Sequence, residues 1–347
     1  MSQEVKKMQE ENLDKGKEKP IPKFEFHSIP ETRTAPFTEN FNFAEGLALS
    51  EPGGFVLTPE FGRHVDEFIN FKIRKDDAWV VTFPKCGTTW TQEMVWMLIN
   101  NCDAELAKQK PLTVRAPFLE VTRVENMESA PPEMTTFMPS VEVIDKMHSP
   151  RVIKSHLPFF LLPSNLLDTC KVVYVARNPK DVIVSFYHHH KLMKMQGFSG
   201  GSLENFADFF MKDQVIFCPY FPHILDAWAK RTHPNLLFIF YEDMKKNLRG
   251  EVEKVASFLG KPLTEENMTK LLEHLKFENI SKNESVNFEI GKKIGFMNQD
   301  GAFMRKGKTG DWKNHFSPEL NRRIDAWVES NLAETDLRFE MELEQQD

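Results

Sequence analysis

Trp79-Val-Val-Thr-Phe-Pro-Lys-Cys-Gly-Thr-Thr-Trp90 is the stretch whose reading decides the architecture. Trp79 to Phe83 is a short apolar run closed by Pro84, the pattern of a buried strand. A turn of small residues follows. From Thr88 to Asn100, Trp90, Met94, Met97 and Leu98 fall at helical spacing. A turn that leaves a buried strand and opens a helix presents free backbone N–H groups, and here it adds Lys85, Gly87, Thr88 and Thr89. That set suits an anion. It is not a Walker A loop, because the Lys precedes the Gly and Gly-x-x-x-x-Gly-Lys-Ser/Thr is missing. Taken alone, the turn fits an ordinary strand–turn–helix with a Thr cap equally well.

Outward from this stretch the pattern repeats. Arg151–Lys154, Lys171–Ala176 and Leu236–Tyr241 read as further strands, and Asn178-Pro179 suits a helix start with Pro at its first position. Gly250–Gly260 and Thr264–Leu275 read as amphipathic helices, and Ser317-Pro318 opens a last one reaching about Asn331. Strands alternating with helices predict an α/β fold, a central parallel β-sheet flanked by helices with a P-loop-like loop, in a single domain. Ligands of such sheets sit at the carboxyl ends of the strands. The Pro- and Met-rich stretch Asn101–Pro150 predicts loops and short helices, where acceptor-binding elements often lie. Residues 1–37, dense in Lys, Glu and Gln, read as a disordered charged tail, with the folded domain spanning 38–347 and order beginning near Phe41.

Composition narrows the function. The 347 residues carry a net charge of -7, which argues against nucleic acid and anionic membranes as partners. Cys86, Cys102, Cys170 and Cys218 show no Cys-x-x-Cys spacing, as expected of reduced thiols rather than a disulfide or zinc framework. No hydrophobic signal region and no run of ~18 apolar residues is present, so a cytoplasmic location is expected. Phe is abundant at 30 residues against 4 Tyr, and part of that excess suggests an apolar pocket.

Polar residues cluster at the predicted strand ends. Lys154 and His156 alternate on an extended chain, so they share a face with Cα atoms ~7 Å apart. A cation and a base aimed at one spot can hold a negative group while deprotonating its attacker. Arg177 ends a strand, with Ser185 about two turns into the next helix; an Arg there suits a phosphate clamp. Phe303-Met-Arg-Lys-Gly-Lys308 gathers cations around Gly307 and predicts a second phosphate site. His188-His-His190 is not read as a metal site, because adjacent helical residues diverge by about 100°. Each tripeptide alone also fits a solvated loop or surface ion pair.

Their collinear order resembles the cytosolic sulfotransferase family, which uses 3′-phosphoadenosine-5′-phosphosulfate (PAPS). The matching stretches are Thr82–Trp90, Lys154-Ser-His-Leu-Pro158, Val172–Val182 with Ser185, Phe240-Tyr-Glu-Asp-Met244, and Arg305-Lys-Gly307 with Gly310-Asp-Trp312. The resemblance implies that Lys85, Cys86, Gly87, Thr88, Thr89 and Trp90 hold the 5′-phosphosulfate. It places Arg177, Ser185, Arg305, Lys306 and Gly307, with Phe303 and Met304 beside them, around the 3′-phosphate. Tyr241, Phe277 and Trp90 border the adenine. His156 becomes the general base; Lys85, Lys154 and Ser185 complete the catalytic set, with no metal. Phe118, His156 and His189 line the pocket of a small acceptor bearing a hydroxyl or amine, expected to be apolar. Three departures stand out. Cys86 replaces a usual Ser, Leu275 stands where a nucleotide-contacting Thr or Ser is frequent, so that contact is not carried over, and the homodimer motif is degraded around Lys313, Ser317-Pro318 and Arg322. In the acceptor pocket, His189 replaces a frequent aromatic. Two alternatives remain open: elimination through a sulfated intermediate, as in the insect-type retinol dehydratase that resembles this family, and adenosine-nucleotide binding without catalysis.

Overall fold

The computed structural model describes residues 23–29, 40–43, 45–125, 127, 130–194, 197–199 and 201–343. Its centre is a four-stranded parallel sheet built from β4 (Ala78–Thr82), β5 (Val152–Ser155), β6 (Lys171–Ala176) and β7 (Leu236–Phe240), in the spatial order β5-β4-β6-β7. These are the four strands legible as apolar runs. The strand period of two sorts their side chains onto opposite faces. Trp79, Val81, Ile153, Val172 and Tyr174 enter one core, while Ala78, Val80, Val152, Val173 and Val175 enter the other. Burial of both faces explains why the strands read as continuous apolar runs rather than as alternation.

Pairing of Val81 with Ser155, Thr82 with Val175 and Ala176 with Phe240 brings all four carboxyl ends to one edge. The chain leaves β4 toward β5 but leaves β6 toward β7, so a crevice opens between the ends of β4 and β6. Two helices start there: α1 (Thr88–Ile99) after β4 and α2 (Pro179–Leu192) after β6. Asn178 caps α2 by accepting from the Asp181 N–H, with Pro179 at its first position as its sequence predicts. The amphipathic helices are α5 (Leu248–Phe258), α6 (Glu265–Leu275) and α7 (Pro318–Leu332), while α3 (Leu203–Met211) and α4 (Tyr220–Ala229) were not legible beforehand. The described residues between 101 and 150 form short helices joined by loops, as expected.

One expectation needs correction. Glu25–Ser28, inside the stretch read as a disordered tail, forms strand β1, paired antiparallel with β2 (Ala48–Glu51), which also pairs with β3 (Val56–Leu57). Order therefore begins before Phe41. The cause is a pair of aromatics hidden among charges: Phe26 packs edge-on to Phe61 at 5.7 Å, and Phe24 stacks on Phe160 at 5.9 Å. Most of the remaining tail lies outside the described residues. No helix among the described residues is long and apolar enough to cross a membrane.

Candidate active site

The turn after β4 is held in an unusual backbone state. Lys85 has φ +67° and Gly87, which precedes α1, has φ +97°. A non-Gly residue in the left-handed region stores strain that its surroundings must outweigh. At Gly87 the reason for glycine is visible, since a Cβ there would lie 2.7 Å from the Tyr241 ring. Lys85, Gly87, Thr88, Thr89 and Trp90 line the crevice together with Pro84. Cys86 turns its thiol into the core beneath, where burial pushes it far up and keeps it protonated. Only its backbone can serve the site.

Arg177, at the end of β6, ties three loops together. Its guanidinium donates to the carbonyls of Lys85 (3.2 Å) and Lys308 (2.9 Å) and lies 4.2 Å over the Tyr241 ring. Its Nε is buried with no hydrogen-bond partner among the described residues. The 303–308 loop is anchored from below: Asp181 accepts from the N–H groups of Gly310 (2.7 Å) and Trp312 (3.2 Å). Arg305 and Lys306 donate to the two oxygens of Asp311, at 2.6 and 2.7 Å. Gly307, φ +62°, lies so close to Phe277 that a Cβ would fall 2.2 Å from the ring. Trp90, whose Nε1 donates to the Leu275 carbonyl at 2.9 Å, meets Tyr241 edge-on at 5.8 Å. Trp90, Tyr241, Phe277 and Met304 thus border one end of the cavity, and Ser185 lines it beside Arg177.

At the middle of the crevice, Lys85, Lys154 and His156 converge. Lys154 lies 4.0 Å over the Phe118 ring, and Lys85 lies 4.7 Å over that of Phe303. His156 Nδ1 lies 2.8 Å from the Thr82 carbonyl, which can only accept, so Nδ1 carries the proton and Nε2 keeps its lone pair. Nε2 has no hydrogen bond among the described residues. Burial, then the Lys154 charge, holds the imidazole well below its usual range, so it is neutral at pH 7. Burial and repulsion from Lys154, Arg177 and Arg305 pull Lys85 down to about 7. Sequence reading gave no role to Glu120, which is fully buried beneath this centre and accepts from the His156 N–H (2.6 Å) and the Ser155 hydroxyl (3.0 Å). His223 was also missed; its Nε2 reaches the His156 carbonyl at 2.9 Å. Both sit far along the chain or inside helical patterns, where nothing local marks them.

Beyond the centre the wall turns apolar. Phe118, Val121, Val124, Phe137, Met138, Phe186, Met193, Phe217, Phe288 and Phe303 line a cavity of about 220 Å³ shared with the cationic end. His189 borders it as well, its Nδ1 3.5 Å from Lys85 Nζ. The histidine triplet diverges as helical geometry demands: His188 faces His315, and His190 packs on Phe41 and Phe186. No group of three or more potential metal ligands occurs among the described residues.

A parallel sheet whose strand-end turn opens a helix, cations on several loops and neutral imidazoles beside an apolar pocket suit a group-transfer enzyme with an anionic donor. Residues 75–336 match the sulfotransferase domain family. Sulfotransferase 1E1 of Homo sapiens is 38% identical over 296 residues, 84% of this chain and 96% of that protein. Luciferin sulfotransferase of Photinus pyralis is 36% identical over 280 residues, 77% of this chain and 75% of that protein. Among solved structures, retinol dehydratase in complex with androsterone and inactive cofactor PAP superposes with a TM-score of 0.86 at 32% identity, covering 92% of this chain and 99% of that one. The chain belongs to the sulfotransferase family and is a sulfotransferase enzyme.

Proposed function

We propose that this enzyme moves a sulfo group from PAPS to the hydroxyl, or amine, of a small apolar acceptor, with His156 as general base. One observation carries the reading: His156 offers a free Nε2 beside two lysines, where a cationic cavity meets an apolar one. The residues fit a multivalent anion. Lys85, Lys154, Arg177 and Arg305 converge, burial and then their repulsion depress Lys85, and Arg177 keeps a buried donor with no partner among the described residues. Lys85 and the first amides of α1 would hold the 5′-phosphosulfate, while Arg177, Ser185, Arg305, Lys306 and Gly307 would hold the 3′-phosphate. Trp90, Tyr241 and Phe277 would border the adenine.

The bound nucleotide supplies a sulfo group whose transfer resembles phosphoryl transfer, with charge growing on the departing phosphate oxygen. The acceptor oxygen forms its bond to sulfur as the bond from sulfur to that phosphate oxygen breaks. His156 Nε2 takes the acceptor proton. Lys85 and Lys154 offset the growing negative charge in a site shielded from water. Phe118 and Phe217, ring-to-ring with His156 at 5.0 and 5.6 Å, hold the imidazole and form the nearest acceptor wall.

A panel of phenols, sterols and isoprenoid alcohols with labelled donor tests this reading. Sulfation of apolar alcohols is expected; activity confined to sugars or peptides would exclude it. The close superposition on retinol dehydratase favours one second reading, elimination from the sulfated product. Mass analysis separates the two as a stable sulfate ester or an anhydro compound.

A further inference from the structure

Two imidazoles border the same cavity, and their partners give them opposite tautomers. His156 Nδ1 faces a carbonyl and therefore carries its proton, which leaves Nε2 an acceptor. His189 Nδ1 faces the Lys85 amine at 3.5 Å; with an anionic nucleotide bound, which favours the charged form of Lys85, the ammonium only donates, so Nδ1 is the acceptor and the proton sits on Nε2. The second ring is held by its surroundings. Phe186 lies roughly parallel to it at 6.1 Å, Phe303 meets it edge-on at 5.8 Å, and α2 supplies a rigid backbone. Burial comes first, and the neighbouring Lys85 charge next, in keeping this imidazole neutral at pH 7. Phe118, Val121, Phe186, Met193, Phe217, Phe288 and Phe303 offer no side-chain hydrogen-bond donor, so a neutral N–H among them is conspicuous to an incoming molecule. An apolar ligand without a matching lone pair would strip water from that N–H and leave it unpaired, a penalty that discriminates strongly in a dry pocket.

We propose that His189 selects the acceptor: its Nε2–H donates to a second oxygen of the substrate, so the preferred acceptors are apolar alcohols or phenols that carry a carbonyl, ether or further hydroxyl oxygen near the reacting hydroxyl. This rests on the apolar-acceptor reading above and refines it.

Matched acceptor pairs that differ only in that second oxygen, such as a phenol and its ortho-methoxy or ortho-hydroxy counterpart, provide the test. The wild-type enzyme is expected to favour the oxygenated member by roughly tenfold in kcat/KM, the size of one neutral hydrogen bond in a buried site. His189→Phe should erase or invert the preference, chiefly by losing the oxygenated member. His189→Gln, which keeps an N–H donor, should restore most of it. Calorimetric binding of adenosine 3′,5′-bisphosphate shows whether each variant is folded. An unchanged preference in a folded His189→Phe overturns the proposal and leaves the apolar-acceptor reading intact. A wild-type preference for the deoxygenated member overturns it too. Turnover of neither member, with turnover of sugars or peptides instead, defeats the underlying reading and this refinement with it.

Discussion

The two ends of the cavity are made in different ways. The cationic end is built where β-α units place it: the turn after β4, the end of β6, Tyr241 directly after β7, and one loop pinned by Asp181. The apolar end is assembled from side chains drawn from residues 118–138, 217 and 286–303, on short helices and loops, together with Phe186 and His189 on one face of α2. Sheet register determines the first, and packing among distant segments determines the second. The cationic end should therefore resist change in the acceptor wall, and the wall should vary without loss of nucleotide binding.

His156→Ala breaks the junction between the two ends and should have the largest effect. Turnover is expected to fall by roughly a hundred- to ten-thousand-fold, with calorimetric affinity for adenosine 3′,5′-bisphosphate nearly unchanged. Unaltered turnover would remove His156 from the chemistry. Lys85→Ala should cost roughly a hundred- to thousandfold in kcat, the scale of one preorganised charge-stabilising donor; an effect on acceptor KM alone would place Lys85 on the wrong side of the comparison.

The pH dependence of nucleotide binding follows from the depressed Lys85. In the free protein it loses its proton near pH 7, and a bound anion favours the charged form. Binding then takes up a proton above about pH 7, so affinity should weaken by up to about tenfold per pH unit as pH rises. Calorimetry in buffers of different ionisation enthalpy measures that uptake directly. A flat profile from pH 6.5 to 9 would contradict it.

Gly307→Ala adds a Cβ 2.2 Å from the Phe277 ring at a left-handed position, and should weaken the bisphosphate about tenfold while the acceptor wall stays as it was. The smallest effect belongs to Cys86→Ser. Its side chain lies in the core, away from the crevice, so nucleotide affinity should stay within about twofold. A larger loss would show that the thiol's neighbourhood, and not the backbone alone, shapes the turn.

The same contrast explains what could be read in advance. β4 and its turn, Lys154 with His156, Arg177, and the Arg305–Gly307 loop were legible because each is a short local pattern at a strand end. The apolar wall was not, because Met193, Phe217 and Phe288 are ordinary core residues until the chain folds and puts them opposite Phe118. Glu120 and His223 escaped for a related reason: each supports His156 through backbone contacts that leave no mark in spacing. Strand β1 was masked by the charges around Phe24 and Phe26, so composition outweighed a two-residue alternation.

Arg177 carries a warning for mutagenesis. One guanidinium fastens the carbonyls of residues 85 and 308 and roofs Tyr241. Removing it unhooks two loops and an aromatic wall together, as pulling a shared hinge pin frees every leaf hung on it. Losses measured at that position will exceed the worth of any phosphate contact, and will not add to losses measured at Lys85 or in the 303–308 loop.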